Sequence, residues 1–196
     1  MNIPILHPAP GLPPRRAFNV EDIRRMIEAG VLREDERMEL IEGEIVMMSA
    51  KSIAHGDIKN ALLIAFARAV PDGLYVAVEC TLQLAEDILV EPDIAIISRE
   101  VYKADPKSFA RPRPEHVHLF VEIAVSSMSY DREVKARLYA RHGIREYWVI
   151  DGNERRTFVH TSPTADGWSS VVERGPDEVL TTPAVPSFKL KLSDIS

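Results

Sequence analysis

The sequence predicts a mixed α/β fold, one β-sheet flanked by helices and prolonged by an antiparallel C-terminal extension. Three observations carry that expectation. Helix-spaced apolar stripes at 20–29, 52–70 and 131–142 interleave with strand-like apolar runs at 37–48, 75–97, 116–125 and 146–151. The resulting order, helix, hairpin, helix, hairpin, strand, helix, strand, lays helices over a sheet. The chain has 196 residues, 45% hydrophobic and 28% charged, which suits a folded core and not a disordered chain.

The first 17 residues stand apart. Pro4, Pro8, Pro10, Pro13 and Pro14 resist helix and central strand, so residues 1–17 read as an extended proline-rich arm, a tail or a strap on a partner subunit. Residues 18–196 read as a single domain. Asn19 caps a helix over 20–29 that Gly30 ends. Runs at 37–41 and 44–48 flank Glu42-Gly43, a two-residue hairpin turn. Ser52 caps a longer helix to about residue 70, striped by Ile58, Leu62, Ala65, Phe66 and Ala69 and closed by Pro71-Asp72-Gly73.

A second antiparallel pair is expected at 75–84 and 88–97, turning at Ala85-Glu86-Asp87. Residues 98–115 lack apolar periodicity and read as a long loop, a class that is often functional. It carries Lys103, Lys107, Arg111 and Arg113, the candidate nucleic-acid contacts. Strongly apolar strands at 116–125 and 146–151 bracket a helix at 131–142 ended by Gly143. Weaker strands at 157–161, 168–173 and 188–192 form the extension.

Composition narrows the chemistry. The lone Cys80 excludes an internal disulfide and a multi-cysteine zinc site, and its apolar run predicts a buried thiol. No stretch approaches the ~20 apolar residues of a membrane span. Met1-Asn2-Ile3-Pro4 lacks the basic flank and apolar run of a signal peptide, so the cytoplasm is the expected location. The net charge of −6 argues against a broad grip on nucleic acid, whose phosphates call for a basic footprint, and leaves a local patch open.

Three features carry chemistry. Glu91-Pro92-Asp93 interrupts an apolar run, and a proline and an ionised aspartate are both unfavourable inside a sheet unless they sit at a bend or a site. Glu122 is the single acidic residue in the run Leu119-Phe120-Val121-Glu122-Ile123-Ala124-Val125, and a buried carboxylate is normally paired, hydrogen-bonded or metal-bound. In Asp131-Arg132-Glu133-Val134-Lys135, Lys135 lies beside the core face with Asp131 and Tyr139 one turn either way. Taken singly, each has a plainer reading: a turn aspartate, an ion-pair glutamate, a solvated lysine. In order they make Pro-Asp, a gap of 28 residues (94–121), an acid in a buried strand, and a lysine on the next helix.

That order resembles the PD-(D/E)XK nuclease superfamily, and more closely the Uma2 family of restriction-endonuclease-like proteins (DUF820), over residues 18–160. Its landmarks are Met38-Glu39-Leu40-Ile41-Glu42-Gly43-Glu44-Ile45-Val46-Met47-Met48-Ser49, His55, Glu91-Pro92-Asp93-Ile94, Val121-Glu122-Ile123-Ala124-Val125-Ser126, Asp131-Arg132-Glu133-Val134-Lys135 and Glu146-Tyr147-Trp148-Val149-Ile150-Asp151. One position departs from the superfamily pattern. Its lysine lies two residues beyond the acid on the same strand, and here that position is Ala124. The family supplies the lysine from the next helix, which points to Lys135.

The resemblance implies a restriction-endonuclease-like fold and a metal-dependent endonuclease acting on DNA. It implies Asp93, Glu122 and the Ile123 backbone carbonyl as ligands of Mg²⁺ (or Mn²⁺), an ion that prefers oxygen and keeps several waters. Glu39 enters as a third acid for a second ion or a metal water. Lys135 orients the attacking water and stabilises developing charge, with His55, Asp131 and Tyr139 in support. A homo-oligomer such as a dimer is expected. Rival readings are a catalytically silent nucleic-acid-binding or regulatory module on a nuclease fold, an RNA or small-nucleotide phosphodiesterase, and a structural subunit strapped by the arm.

Overall fold

In the computed structural model, residues 5–6, 15–33, 35–103 and 109–195 are described. In chain order the elements are β1 (Ile5–Leu6), β2 (Arg15–Arg16), α1 (Val20–Glu28), β3 (Met38–Ile41), β4 (Glu44–Met47), α2 (Ile53–Ala69), β5 (Leu74–Val78), β6 (Leu82–Ala85) and β7 (Ile88–Val90). Then follow β8 (Ile94–Ser98), β9 (Val117–Ala124), α3 (Ala136–Arg141), β10 (Glu146–Asp151), β11 (Arg156–Thr164), β12 (Gly167–Arg174), β13 (Leu180–Thr182) and β14 (Val185–Leu190). The chain groups into two compact units, Met1–Ala50 with Thr81–Glu91, and Lys51–Cys80 with Pro92–Ser196.

The first unit is a four-stranded sheet in the order β4-β3-β7-β6, with α1 and the pair β1-β2. Asn19 caps α1 in a full capping box: its side chain accepts from Asp22 N–H at 2.8 Å while Asp22 Oδ2 accepts from Asn19 N–H at 3.1 Å. The β3–β4 hairpin turns at Glu42 and Gly43, at φ 50° and 84°. Both central residues in the left-handed region match the twist that hairpins prefer. Glycine is required at 43 on a second ground, since an added Cβ would sit 2.6 Å from the Ala17 Cβ. In the arm, β1 and β2 pair antiparallel; its other residues up to 14 lie outside the described ones.

The second unit is a six-stranded sheet in the order β12-β11-β10-β9-β8-β5. The pair β9–β10 is parallel and every other neighbour antiparallel, giving a mixed sheet with β9 near its centre. Ser52 caps α2 by accepting from His55 N–H at 3.2 Å. The helix buries Ile58, Leu62 and Phe66 against Ile94, Ile96, Leu119, Val121, Ile123, Trp148 and Ile150. Phe66 stacks on Phe188 at 3.9 Å between ring centroids, which ties β14 into the same core. On the other face Phe120, Tyr139 and Tyr147 meet edge to face at 4.9 Å each, and Trp168 Nε1 donates to the Ala136 carbonyl at 2.7 Å. The C-terminal extension is antiparallel as expected, with β11 and β12 continuing the sheet and β13-β14 forming a separate pair.

Three expectations change. The second hairpin pairs antiparallel, but both arms break, and the halves join different sheets: β6–β7 in the first unit, β5–β8 in the second. Pro92 cannot donate to a ladder, and Glu79 stands at φ 48°, so both arms leave strand geometry at the same level. Cys80 lies in that break and is half-buried, not deep in a strand. The helix expected over 131–142 opens as a π-turn, Tyr130–Lys135, before α3. Among the described residues no helix is long and apolar enough to cross a membrane.

Candidate metal centre

Strand β9 organises the site. Leu119, Val121 and Ile123 face the α2 core, so by the strand's alternation Phe120 and Glu122 face α3. There Glu122 Oε1 accepts from Lys135 Nζ at 2.9 Å and from Tyr139 Oη at 3.1 Å. A strand residue directs its N–H and C=O to the same neighbour. Ile123 directs both past the start of β8, where its N–H donates to Asp93 Oδ2 at 2.8 Å. The Ile123 carbonyl therefore points to the side on which Asp93 sits. Asp93 and Lys135 thus meet two successive residues of one strand.

The bend at Pro92-Asp93 makes this possible. Released from the ladder, the Asp93 carboxylate turns toward β9, 3% exposed, and also accepts from His55 Nε2 at 3.0 Å. Burial pushes its carboxyl up. The His55 hydrogen bond and the charges of Lys51 and His55 outweigh burial and hold the pKa at about 2. Asp93 is therefore held ionised at neutral pH.

The π-turn places the lysine. Four residues overshoot a full turn of α-helix and fall short of a full π-turn. A π-turn followed by an α-turn cancels the drift and aligns Asp131, Lys135 and Tyr139 on one side. Lys135 is 3% exposed, and its Nζ lies 3.9 Å from Asp131 Oδ1. Asp131, equally buried, accepts from Ser127 Oγ at 2.5 Å, and its carbonyl accepts from Tyr147 Oη at 3.1 Å. Such a buried network depends on hydrogen bonds to its charges, and here one ammonium lies between the two carboxylates.

Glu39 belongs to the first unit; it is 2% exposed and accepts from Glu91 N–H at 2.9 Å. Ala124, where the superfamily pattern places a lysine, is buried, and its carbonyl accepts from Gly152 N–H at 2.8 Å. Arg111 and Arg113 are exposed, and Arg113 Nε pairs with Glu115 at 3.0 Å. Lys107 and the side chain of Lys103 lie outside the described residues.

Two residues that the sequence does not single out stand at the site. Lys51 Nζ donates to Asp93 Oδ1 and to Glu79 Oε1, and Lys59 Nζ reaches Glu79 at 2.8 Å. Burial pushes the Glu79 carboxyl up, but the hydrogen bonds and charges of Lys51 and Lys59 hold it at about 2. A signal existed for Glu79. The hairpin register sets Val78 opposite Ile94, so the next residue out, Glu79, falls level with Asp93.

Among the described residues no three His, Cys, Asp or Glu side chains gather as a ready metal cage. Two carboxylates and a carbonyl nevertheless suit a small hard cation that keeps several of its waters. Ammonium groups already lie against the oxygens of both carboxylates.

The family model described as "Uma2: Putative restriction endonuclease" matches residues 20–193. The fold is similar to that of a solved structure described as "a putative nuclease belonging to DUF820 from Anabaena variabilis ATCC 29413". The TM-score is 0.71 at 18% identity, covering 91% of this chain and 97% of that one. No curated protein matches the chain.

Proposed function

Since this chain belongs to the Uma2 family of restriction-endonuclease-like proteins, we propose that it is a metal-dependent endonuclease hydrolysing phosphodiester bonds in DNA at the Asp93–Glu122–Lys135 centre. One observation carries the reading: Asp93 anchors on the Ile123 N–H while Lys135 anchors on the adjacent Glu122. A lysine pointing to solvent would have favoured a catalytically silent module.

Asp93, Glu122 and the Ile123 carbonyl would hold Mg²⁺ or Mn²⁺. Such an ion supplies a nucleophilic water at neutral pH and neutralises charge at phosphorus. Hydrolysis forms a phosphorus–oxygen bond from water, breaks the bond to the leaving sugar oxygen and moves one proton to that oxygen. Lys135 brings a positive charge to the strand that carries Glu122, where it stabilises the charge developing on the phosphoryl oxygens. Asp131 keeps its ammonium beside Glu122, Tyr139 donates to the Glu122 carboxylate, and His55 orients Asp93. A second-ion role for Glu39 rests on the family resemblance alone; Glu39→Gln with unaltered metal binding would remove it.

The first test is thermal. Millimolar Mn²⁺ or Mg²⁺ raises the melting temperature of the chain, and Asp93→Ala abolishes the rise; an unshifted wild type sinks the metal reading. The second is catalytic. Plasmid, single-stranded and branched DNA are nicked by the wild type with metal and spared by Lys135→Ala. The charge of −6 favours a substrate that needs less basic surface. RNA and small nucleotides in the same assay, cut while DNA is spared, would move the reading to a phosphodiesterase of those substrates.

A further inference from the structure

Both oxygens of Asp93 are engaged. Oδ2 accepts from the Ile123 N–H and His55, and Oδ1 accepts from Lys51. The same Lys51 ammonium also donates to Glu79. Glu79 is built to be there. It holds a left-handed backbone at φ 48° without being glycine, a conformation that persists only where its surroundings impose it. Its N–H donates to the Asp93 carbonyl at 3.3 Å, which sets it level with Asp93 at the end of the β5–β8 ladder. Lys59 from α2 adds a second cation on Glu79.

Lys51 differs from Lys135 in its mooring. Lys135 is 3% exposed and fixed in a helical turn, whereas Lys51 lies in the link before Ser52, the N-cap of α2, with its side chain 17% exposed. A lysine stem on such a link swings without disturbing the helix. An ammonium and a divalent cation make the same demand on a carboxylate, and one oxygen cannot serve both fully.

We propose that Lys51 is an exchangeable counter-cation of the metal centre: it neutralises Asp93 until a divalent ion takes Oδ1, and it then stays on Glu79. The inference rests on the metal reading above. Glu79 is the carboxylate that keeps the displaced ammonium, so the exchange strands no charge. Displacement opposes metal binding, and by reciprocity the metal weakens the hold on Lys51. The device sets a threshold for the ion, and Lys51 acts on it by position, not by touching substrate.

The experiment uses the full chain and Mn²⁺ alone. Isothermal titration compares wild type, Lys51→Met and Lys59→Met. Removing Lys51 tightens Mn²⁺ binding about tenfold, the range of such couplings, and lowers the metal-free melting temperature. Lys59→Met binds within about twofold of wild type, as a contact made to Glu79 should. Lys51→Gln replaces Lys51→Met if that variant does not fold.

A second readout needs no variant. Saturating Mn²⁺ raises acetylation of Lys51 by an N-hydroxysuccinimide ester, read by peptide mass spectrometry, and leaves Lys59 unchanged. Equal or weaker Mn²⁺ binding by Lys51→Met, or unchanged Lys51 labelling at saturation, overturns the exchange and leaves the metal centre standing. No Mn²⁺ binding by wild type or variant overturns both.

Discussion

Lys135 and Asp93 show how one side chain's worth depends on what it neutralises. A solvated helix lysine is worth a fraction of a kcal/mol, whereas removal of one partner from a buried pair leaves an uncompensated charge at about 3–5 kcal/mol. Asp93 ties its ionisation to folding. Its folded pKa, about 2, lies below the ordinary value of 3.8. A depressed carboxyl contributes stability that is present above the unfolded value and lost as pH falls through the folded one. Over that interval the loss from Asp93 is about 2 kcal/mol. Glu79, lowered to about 2 from 4.5, adds a loss of the same sign. Urea midpoints measured from pH 5 down to pH 2 should fall in the wild type, and Asp93→Asn should show a shallower fall. Equal slopes would refuse the ionised Asp93. Burial pushes Glu146 the other way, so its contribution is lost as pH rises; Trp148 and Thr182 offset part of that push by donating to it.

At the scale of elements, the site depends on departures from regular geometry more than on regular strands. Strand β8 begins one residue after Asp93, so that residue is free to turn its carboxylate onto the Ile123 N–H. The π-turn before α3 carries Lys135, whose ammonium lies 3.9 Å from Asp131 Oδ1. Helix α2 holds this arrangement from the other face, where it carries His55 and inserts Ile58, Leu62 and Phe66 into the core. Phe66 is fully buried and touches both Phe188 and Trp148. Phe66→Ala should lower unfolding stability by about 3–5 kcal/mol, read by urea titration, because the cavity adds to the lost transfer energy. A drop under about 1 kcal/mol would mean that the core closes over the gap.

For the whole molecule, net charge bears on association and not on fold. At −6 the chain repels polyanions on average, so the proposed DNA substrate calls for a few local cations. Arg111 and Arg113, both exposed, remain the candidates among the described residues of the 98–115 segment. Binding of a short duplex followed across salt concentrations should give a shallow log–log slope. Replacing both arginines by alanine should reduce that slope by about 2, one unit for each phosphate no longer neutralised. An unchanged slope would mean that neither arginine touches DNA.

The sequence by itself determined the element order, both helix caps, the Glu42-Gly43 turn and the nuclease-family landmarks, because these rest on local chemistry: side-chain capping, left-handed turn residues and apolar period. It singled out Asp93, Glu122 and Lys135 through a proline in an apolar run, a lone acid in another and an order of residues. Only the tertiary structure decided the rest. The division of one hairpin between two sheets follows from simultaneous breaks at Glu79 and Pro92, and a break in one arm says nothing of its partner until the register is known. Lys51 stayed invisible because an ion pair between residues 28 apart leaves no periodic trace. Lys135 sits in a π-turn, which no propensity announces. For Asp93 and Glu122, sequence named the carboxylates; the fold chose which cations hold them.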